Sequence, residues 1–253
     1  MDGLECSEIF LSALERTNRI DSEFYKKQSI EITSLMSKLD AKPITDYISV
    51  SDGNHMSIKE KFIEKGIPYY RGQDIHHFFI ENAHPVCIDR KTYHVPYMYR
   101  SHLKKGDVLL SIVGTIGESA LVFSDREATC SCKLAILRPK CSSMASMLAV
   151  YLKTKYGFDQ IEKFKRGAVQ MGYLLEDMNQ ILIPNFTDNF VMTIHEFVNS
   201  AHESINQSNT LYHSAQETLL RALHFDATTI RTTGITTKPF SESFLVSGRL
   251  DAE

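Results

Sequence analysis

The stretch Ile194–Ala222, IHEFVNSAHESINQSNTLYHSAQETLLRA, carries one unbroken seam of apolar and small residues. Ile194, Val198, Ala201, Ile205, Ser208, Tyr212, Ala215, Leu219 and Ala222 alternate steps of four and three. That is the heptad rule, which keeps one stripe of a helix facing a partner over many turns. Neither Gly nor Pro occurs between Asn185 and Gly234, so the helix can run for about 35 residues, or 50 Å in length. The small residues Ala201, Ser208, Ala215 and Ala222 allow close approach of a second helix. The narrow seam, flanked by Asn, Gln, Ser, Thr and His, favours a partner helix from outside over a helix laid flat on its own globule.

Outward from this helix, composition sets the class. The 253 residues are 43% hydrophobic and 23% charged, the balance of a soluble protein long enough for one large domain with an accessory element. No window approaches eighteen apolar residues, so no membrane span is expected. Met1–Arg16 is acidic and lacks the apolar run of a signal peptide. Cys6, Cys87, Cys130, Cys132 and Cys141 are odd in number and scattered. They fit neither a zinc knuckle nor a disulfide frame, and free thiols in a reducing cytoplasm are expected. The net charge of −3 hides a split: residues 42–187 hold 19 Lys+Arg against 15 Asp+Glu, a balance of +4, and the remainder holds 9 against 16, a balance of −7. A locally basic block in an acidic chain suits a surface that meets an anion.

The segment Asp21–Leu39 predicts a helix capped by Asp21 or Ser22, with Phe24, Ile32, Leu35, Met36 and Leu39 on one face. From Lys42 short runs rich in β-branched and aromatic residues predict strands at Ile44–Val50, Ile67–Tyr70, Val108–Val113, Ser119–Phe123, Leu134–Leu137 and Ile181–Ile183. One helical stretch, Ser146 to about Lys165, interrupts them, with a break at Gly157. The fold class expected is α+β: a mixed, largely antiparallel β domain followed by a long coiled-coil-type helix. A short echo links Cys6–Leu11 and Arg19–Glu23 to Phe240–Leu245 and Arg249–Glu253, with Thr228–Thr237 as a connector between the long helix and the second copy.

Several ordered pieces then become recognisable: Gly66-Ile67-Pro68-Tyr69-Tyr70-Arg71-Gly72-Gln73-Asp74-Ile75, Lys105-Gly106-Asp107-Val108-Leu109-Leu110-Ser111, Gly114-Thr115-Ile116-Gly117, Arg166-Gly167-Ala168-Val169-Gln170 and Ile181-Leu182-Ile183-Pro184. With the long helix they make the chain resemble the specificity subunit of type I restriction–modification systems, and related subunits of some type II systems. The resemblance implies a target recognition domain that reads half of a split DNA site, separated from the next such domain by a spacer helix. It implies an N-terminal helical segment over 1–41, the recognition domain over 42–187, the spacer or dimerisation helix over 188–226, and a linker with the start of a second repeat over 227–253. The chain carries one half of the family's two-part pattern, either as a natural half-subunit that dimerises or as a piece of a longer chain. Partners implied are double-stranded DNA, methyltransferase subunits, a restriction subunit, and a second copy or second half through the helix; no cofactor, metal or membrane is implied.

Read on their own chemistry, Gly106 turns the chain into a buried strand with Asp107 satisfying the turn's amides, and Gly114 and Gly117 supply positive φ at a hairpin. No Walker lysine follows them, which excludes a P-loop. Base readout needs side chains that fork onto base edges, Arg on guanine and Asn or Gln on adenine. Candidates are Asn54 and His55, Arg71 and Gln73, and the run Lys91, Tyr93, His94, Tyr99 and Arg100, which also interleaves Tyr97 and His102. Lys163, Lys165, Arg166 and Gln170 form a further basic loop. Arg71, Gln73, Arg100, Arg166 and Gln170 are expected on the DNA-facing side, with Lys163 and Lys165 on phosphates.

Two other classes compete. Asp74 followed by Asp89-Arg90-Lys91 mimics the spaced acid and Asp-x-Lys of metal-dependent nucleases, but Gln73 stands where a proline is usual. A coiled-coil adaptor whose sheet domain binds protein is the other. The methyltransferase signature of Asn or Asp before two prolines and an aromatic is absent, and Pro184-Asn185-Phe186 is a superficial echo of it. No Ser/His/Asp or Cys/His set has motif support.

Overall fold

The computed structural model describes residues 6–17, 19–167 and 171–223. The chain divides into two compact units, Met1–Ser200 and Ala201–Glu253. Along the described chain run α1 (Leu11–Thr17), α2 (Lys27–Lys38), β1 (Lys42–Pro43), β2 (Ile48–Asp52), β3 (Phe62–Ile63), β4 (Ile67–Tyr70), β5 (Val86–Ile88) and α3 (Arg90–Tyr93). After them come β6 (Val108–Ser111), β7 (Ser119–Leu121), β8 (Thr129–Cys130), β9 (Leu134–Pro139), α4 (Ser142–Lys153), α5 (Lys155–Lys163), β10 (Leu182–Ile183) and α6 (Asp188–Ala222). Connections include short 3-10 turns, of which Gly72–Asp74 and Pro96–Ser101 bear on the site.

Two four-stranded sheets form the first unit. One has the order β2-β9-β6-β7 and is antiparallel throughout; the other has the order β3-β5-β4-β8, with β4 and β8 parallel. β1 and β10 pair antiparallel as a separate two-stranded ribbon. This is the mixed, largely antiparallel α+β fold expected. The run Val108–Ser111 is buried at every position, because β6 is covered on both faces. Leu109, with its register partners Ala120 and Ile136, joins the cluster that also holds Tyr70 and Cys130 of the second sheet. The alternate residues Val108, Leu110, Leu121 and Leu137 are equally buried, and α4 packs on β6, β7 and β9. Each such side chain contributes roughly 1.5–3 kcal/mol on burial. A second cluster, Ile58, Tyr69, Ile88, Tyr93 and Met98, packs around the second sheet. Burial pushes the Tyr70 phenol up to about 12.

Several element boundaries differ from expectation for local reasons. Asp21 caps a turn, accepting Phe24 N–H at 3.0 Å, and α2 begins only at Lys27. Ile44–Asp46 is a 3-10 turn, and its strand starts at Ile48. The helix expected from Ser146 starts at Ser142 and breaks at Thr154, not Gly157. Thr154 leaves helical geometry and its hydroxyl accepts Gly157 N–H at 3.3 Å, capping α5. The glycines at 106, 114 and 117 do adopt positive φ, at 87°, 85° and 92°. Asp107 accepts Lys104 N–H at 2.7 Å, as expected of it, and also binds Arg138 through two 2.7 Å bonds.

α6 runs 35 residues. In the first unit, Ile194 is half-buried and Val198 is 5% exposed, and His195 Nδ1 meets Ser146 Oγ at 2.9 Å. These two seam positions are therefore covered within their own unit, a correction to the expectation that a partner helix covers the whole seam. In the second unit Ala201, Ser208, Tyr212, Ala215, Leu219 and Ala222 are exposed and Ile205 is half-buried. Residues 223–226 of the expected helix end, the Thr228–Thr237 connector and the echo at 240–253 lie outside or at the edge of the described residues.

Candidate nucleic-acid interface

Strand ends of both sheets feed one cleft of about 630 Å³. The loop after β2 supplies Asn54, His55 and Lys59, the turn after β4 supplies Arg71 and Gln73, the β6–β7 turn supplies Thr115, and the β8–β9 turn supplies Lys133. Gly53 lets the first loop lie on the last: a Cβ there would stand 2.4 Å from Ser131 O. Asn54 N–H donates to Cys130 O at 2.8 Å and Cys132 N–H donates to Asn54 O at 2.9 Å. Met56, Phe62 and Tyr69 give the cleft an apolar wall. Three cationic side chains and a histidine line it, and among its lining residues there is no Asp or Glu. Arg71 and His55 are paired with Asp74 and Asp52 beside the lining, so Lys59 and Lys133 carry the local excess, which suits an anion.

Not every candidate is available to a ligand. Asn54 is 3% exposed; its amide donates to Met56 O at 2.8 Å and accepts Met56 N–H at 3.0 Å. It shapes the loop, which corrects its assignment to base readout. Arg71 lies on the cleft wall with its guanidinium on Asp74 at 3.0 and 3.2 Å, while Gln73 is exposed. Tyr93 is also corrected: it is 5% exposed and stacks on His102 with ring centroids 3.7 Å apart. Burial raises the Tyr93 phenol and lowers the His102 imidazole from their ordinary values. Lys91, His94, Tyr99 and Arg100 are exposed. Arg100 is joined to the cleft by Asp52, whose carboxylate binds both Arg100 and His55.

Lys163 and Arg166 line a different cleft, of about 510 Å³, with Arg19, Phe24 and Asp177. Lys163 Nζ lies 4.5 Å from the Phe24 ring centroid and donates to Thr33 at 3.0 Å. Arg166 pairs with Asp177 at 2.7 Å, and Lys165 pairs with Glu162. These three basic groups thus carry internal ion pairs or ring contacts. Arg166 and Gly172 exchange backbone bonds of 2.9 and 2.7 Å, and Gly172 bridges to Val113 at the first cleft. Gln170 lies outside the described residues. Lys59, Lys133 and Asp52 carry no signal in the sequence, because isolated charges give no pattern until the fold brings their turns together.

The nuclease pattern does not assemble. Asp74 follows β4 and Asp89 follows β5, and these strands are antiparallel with Ile67 opposite Ile88 and Tyr69 opposite Val86. The two acids therefore leave opposite ends of the pair, about four strand residues or 13 Å apart. Asp74 is held on Arg71, and Asp89 caps α3 by accepting Thr92 N–H at 2.6 Å. Among the described residues, no group of three His, Cys, Asp or Glu side chains could hold a metal ion. No described helix is long and apolar enough to cross a membrane.

No protein-family profile matches the sequence, and no curated protein matches it. Solved structures do match. The type I restriction–modification S subunit from M. genitalium is similar with a TM-score of 0.51 at 15% identity, over 70% of this chain and 42% of that one. The fold is that of such S subunits. The type IIG restriction endonuclease BpuSI is similar with a TM-score of 0.55 at 11% identity, over 74% of this chain and 30% of BpuSI. The HsdS subunit from Thermoanaerobacter tengcongensis aligns more loosely, with a TM-score of 0.44 at 15% identity, over 78% of this chain and 49% of that subunit. The chain spans less than half the length of each.

Proposed function

We propose that this chain is a DNA-reading half of a restriction–modification specificity subunit. It binds duplex DNA through the first cleft, reads half of a split site, and carries methyltransferase and restriction subunits to it without catalysis of its own. The observation that supports this best is the carboxylate-free cleft lined by Lys59, Arg71, Lys133 and His55, on a fold shared with S subunits. The exposed seam of the second unit, with Tyr212 at 68% and Leu219 at 60% exposure, suits a helix from a second copy or a second half-subunit. Pairing of two such chains would present two half-site readers at once.

Titration of a labelled duplex pool with the full chain, by anisotropy at 50 and 200 mM salt, tests this. Four phosphate contacts would lower affinity roughly 100-fold across that range, from a slope near −0.9 per contact. Lys59→Glu with Lys133→Glu should weaken every sequence alike, because phosphate contacts position without reading. Salt-insensitive binding, or strand cleavage on adding Mg²⁺, would refute the proposal.

A further inference from the structure

Two segments far apart in sequence meet on one carboxylate. Asp52, the last residue of β2, has a side chain only 12% exposed, and its two oxygens separately bind Arg100 Nη2 and His55 Nε2. Its backbone is fixed by pairing with Ala135 of β9. Arg100 sits on the 3-10 segment Pro96–Ser101. That segment is anchored by Ser101, which is 0% exposed and bonds Thr129 Oγ1 and Met98 O, each at 2.7 Å. Yet the Arg100 and His55 side chains are each 59% exposed. The anchors are buried and the two ends are open.

We propose that Asp52 is a positioning residue for specificity, which holds Arg100 to read a guanine in the DNA major groove. The inference rests on the DNA-reading function above. A guanidinium carries five donors in a planar fork, and Asp52 takes one of them. The remaining edge can give guanine O6 and N7 two parallel hydrogen bonds, the commonest specific arginine contact. An unanchored arginine on a flexible stem turns equally well to the nearest phosphate, which carries no sequence information. Holding it on a nearly buried carboxylate removes that freedom, so the contact becomes a reading. His55, on the second oxygen, keeps the carboxylate from rotating away from Arg100.

Selection of binding sites from a randomised duplex pool by the full chain, followed by single-base-pair substitutions in the selected site, tests this. The unaltered chain should select a G·C pair that Arg100→Lys ceases to distinguish. Lysine keeps the charge and lacks the fork, so discrimination at that pair should fall at least fivefold while affinity for unrelated duplex falls far less. Asp52→Asn, nearly the same shape, should lose discrimination at the same base pair and at no other. Equal weakening on all sequences by Asp52→Asn, or unchanged discrimination with Arg100→Lys, would overturn the inference and leave Asp52 a structural tie. Absence of any selection by the unaltered chain would overturn the DNA-reading function itself, and the inference with it.

Discussion

Replacing Arg138 by Met should cost the first unit about 2–3 kcal/mol. Arg138 binds Asp107 through Nε and Nη2, both at 2.7 Å, and Nη2 also donates to His102 O at 3.2 Å. The Asp107 side chain is 0% exposed, whereas that of Arg138 is 35% exposed. Removing one partner of a fully buried pair costs about 3–5 kcal/mol, because the other charge stays buried without compensation. Here water can enter where the half-open guanidinium stood, and Lys104 N–H still serves the carboxylate, which brings the loss to the lower figure. For a unit of this size that lowers the melting midpoint by roughly 4–12 °C. Arg90→Ala is the contrast, since Arg90 and Glu127 pair at 2.8 Å with side chains 74% and 39% exposed, and such pairs contribute at most about 1 kcal/mol. Urea unfolding followed by circular dichroism measures both. A cycle with Asp107→Asn should return a coupling of about 1–3 kcal/mol. An Arg138→Met cost below 0.5 kcal/mol, or equal to that of Arg90→Ala, would refute the reasoning.

Two further outcomes follow from buried polar groups. Gln160, 6% exposed, donates to Tyr151 Oη at 2.9 Å and Leu182 O at 3.0 Å and accepts Leu182 N–H at 2.7 Å; because Tyr151 Oη still donates to Leu182 O at 2.7 Å, Gln160→Leu should cost about 1–3 kcal/mol by orphaning Leu182 N–H, and amide exchange at Leu182 should accelerate. Burial against Tyr93 lowers the His102 imidazole below its ordinary value, so the unfolded chain binds the proton more readily. Stability should therefore hold above about pH 6.5 and decline as pH falls through that value, and His102→Gln should flatten that decline in melting midpoints taken between pH 5 and 8.

The strands that were legible in the sequence are those whose burial leaves a pattern. Val108–Ser111 and Leu134–Leu137 read as continuous apolar runs because α4 covers one face of their sheet and the second sheet covers the other. Phe62–Ile63, Val86–Ile88 and Thr129–Cys130 were not legible: they are only two or three residues long. Neighbouring strands hold them, not periodicity of their own. The long helix was legible to within a few residues, since a heptad seam without Gly or Pro constrains every turn. Its first two seam positions were misread, because Ile194 and Val198 follow the same spacing whether a partner helix or α4's surroundings cover them. At the site, the forked side chains announced their chemistry but not their company. Asn54 is identical in type to a base-reading asparagine, and only the two bonds to Met56 show that it is spent on the loop. Asp52 gave no signal as a holder of Arg100, because the two lie 48 residues apart.

The division between what is rigid and what is open has a functional consequence. Every cation of the first cleft hangs from a turn at the end of a strand, while the strands themselves are fixed by Leu109, Leu134, Ile136 and Tyr70 in the shared core. Changing an exposed turn side chain such as Gln73 or Lys133 removes no core contact, so its cost to stability stays within about 0.5 kcal/mol. Changing Asn54 or Gly53 instead moves the turn, because each is buried and bonded or packed against its neighbour. The cleft surface can therefore vary at its exposed tips on a constant frame. Binding and folding should separate accordingly: substitutions at 73 and 133 should alter DNA affinity at unchanged melting temperature, whereas Gly53→Ala, which sets a Cβ 2.4 Å from Ser131 O, should lower both. A Gly53→Ala protein with an unchanged melting temperature would show that the β2 loop and the β8–β9 turn are free to part, and that the frame beneath the cleft is softer than its contacts imply.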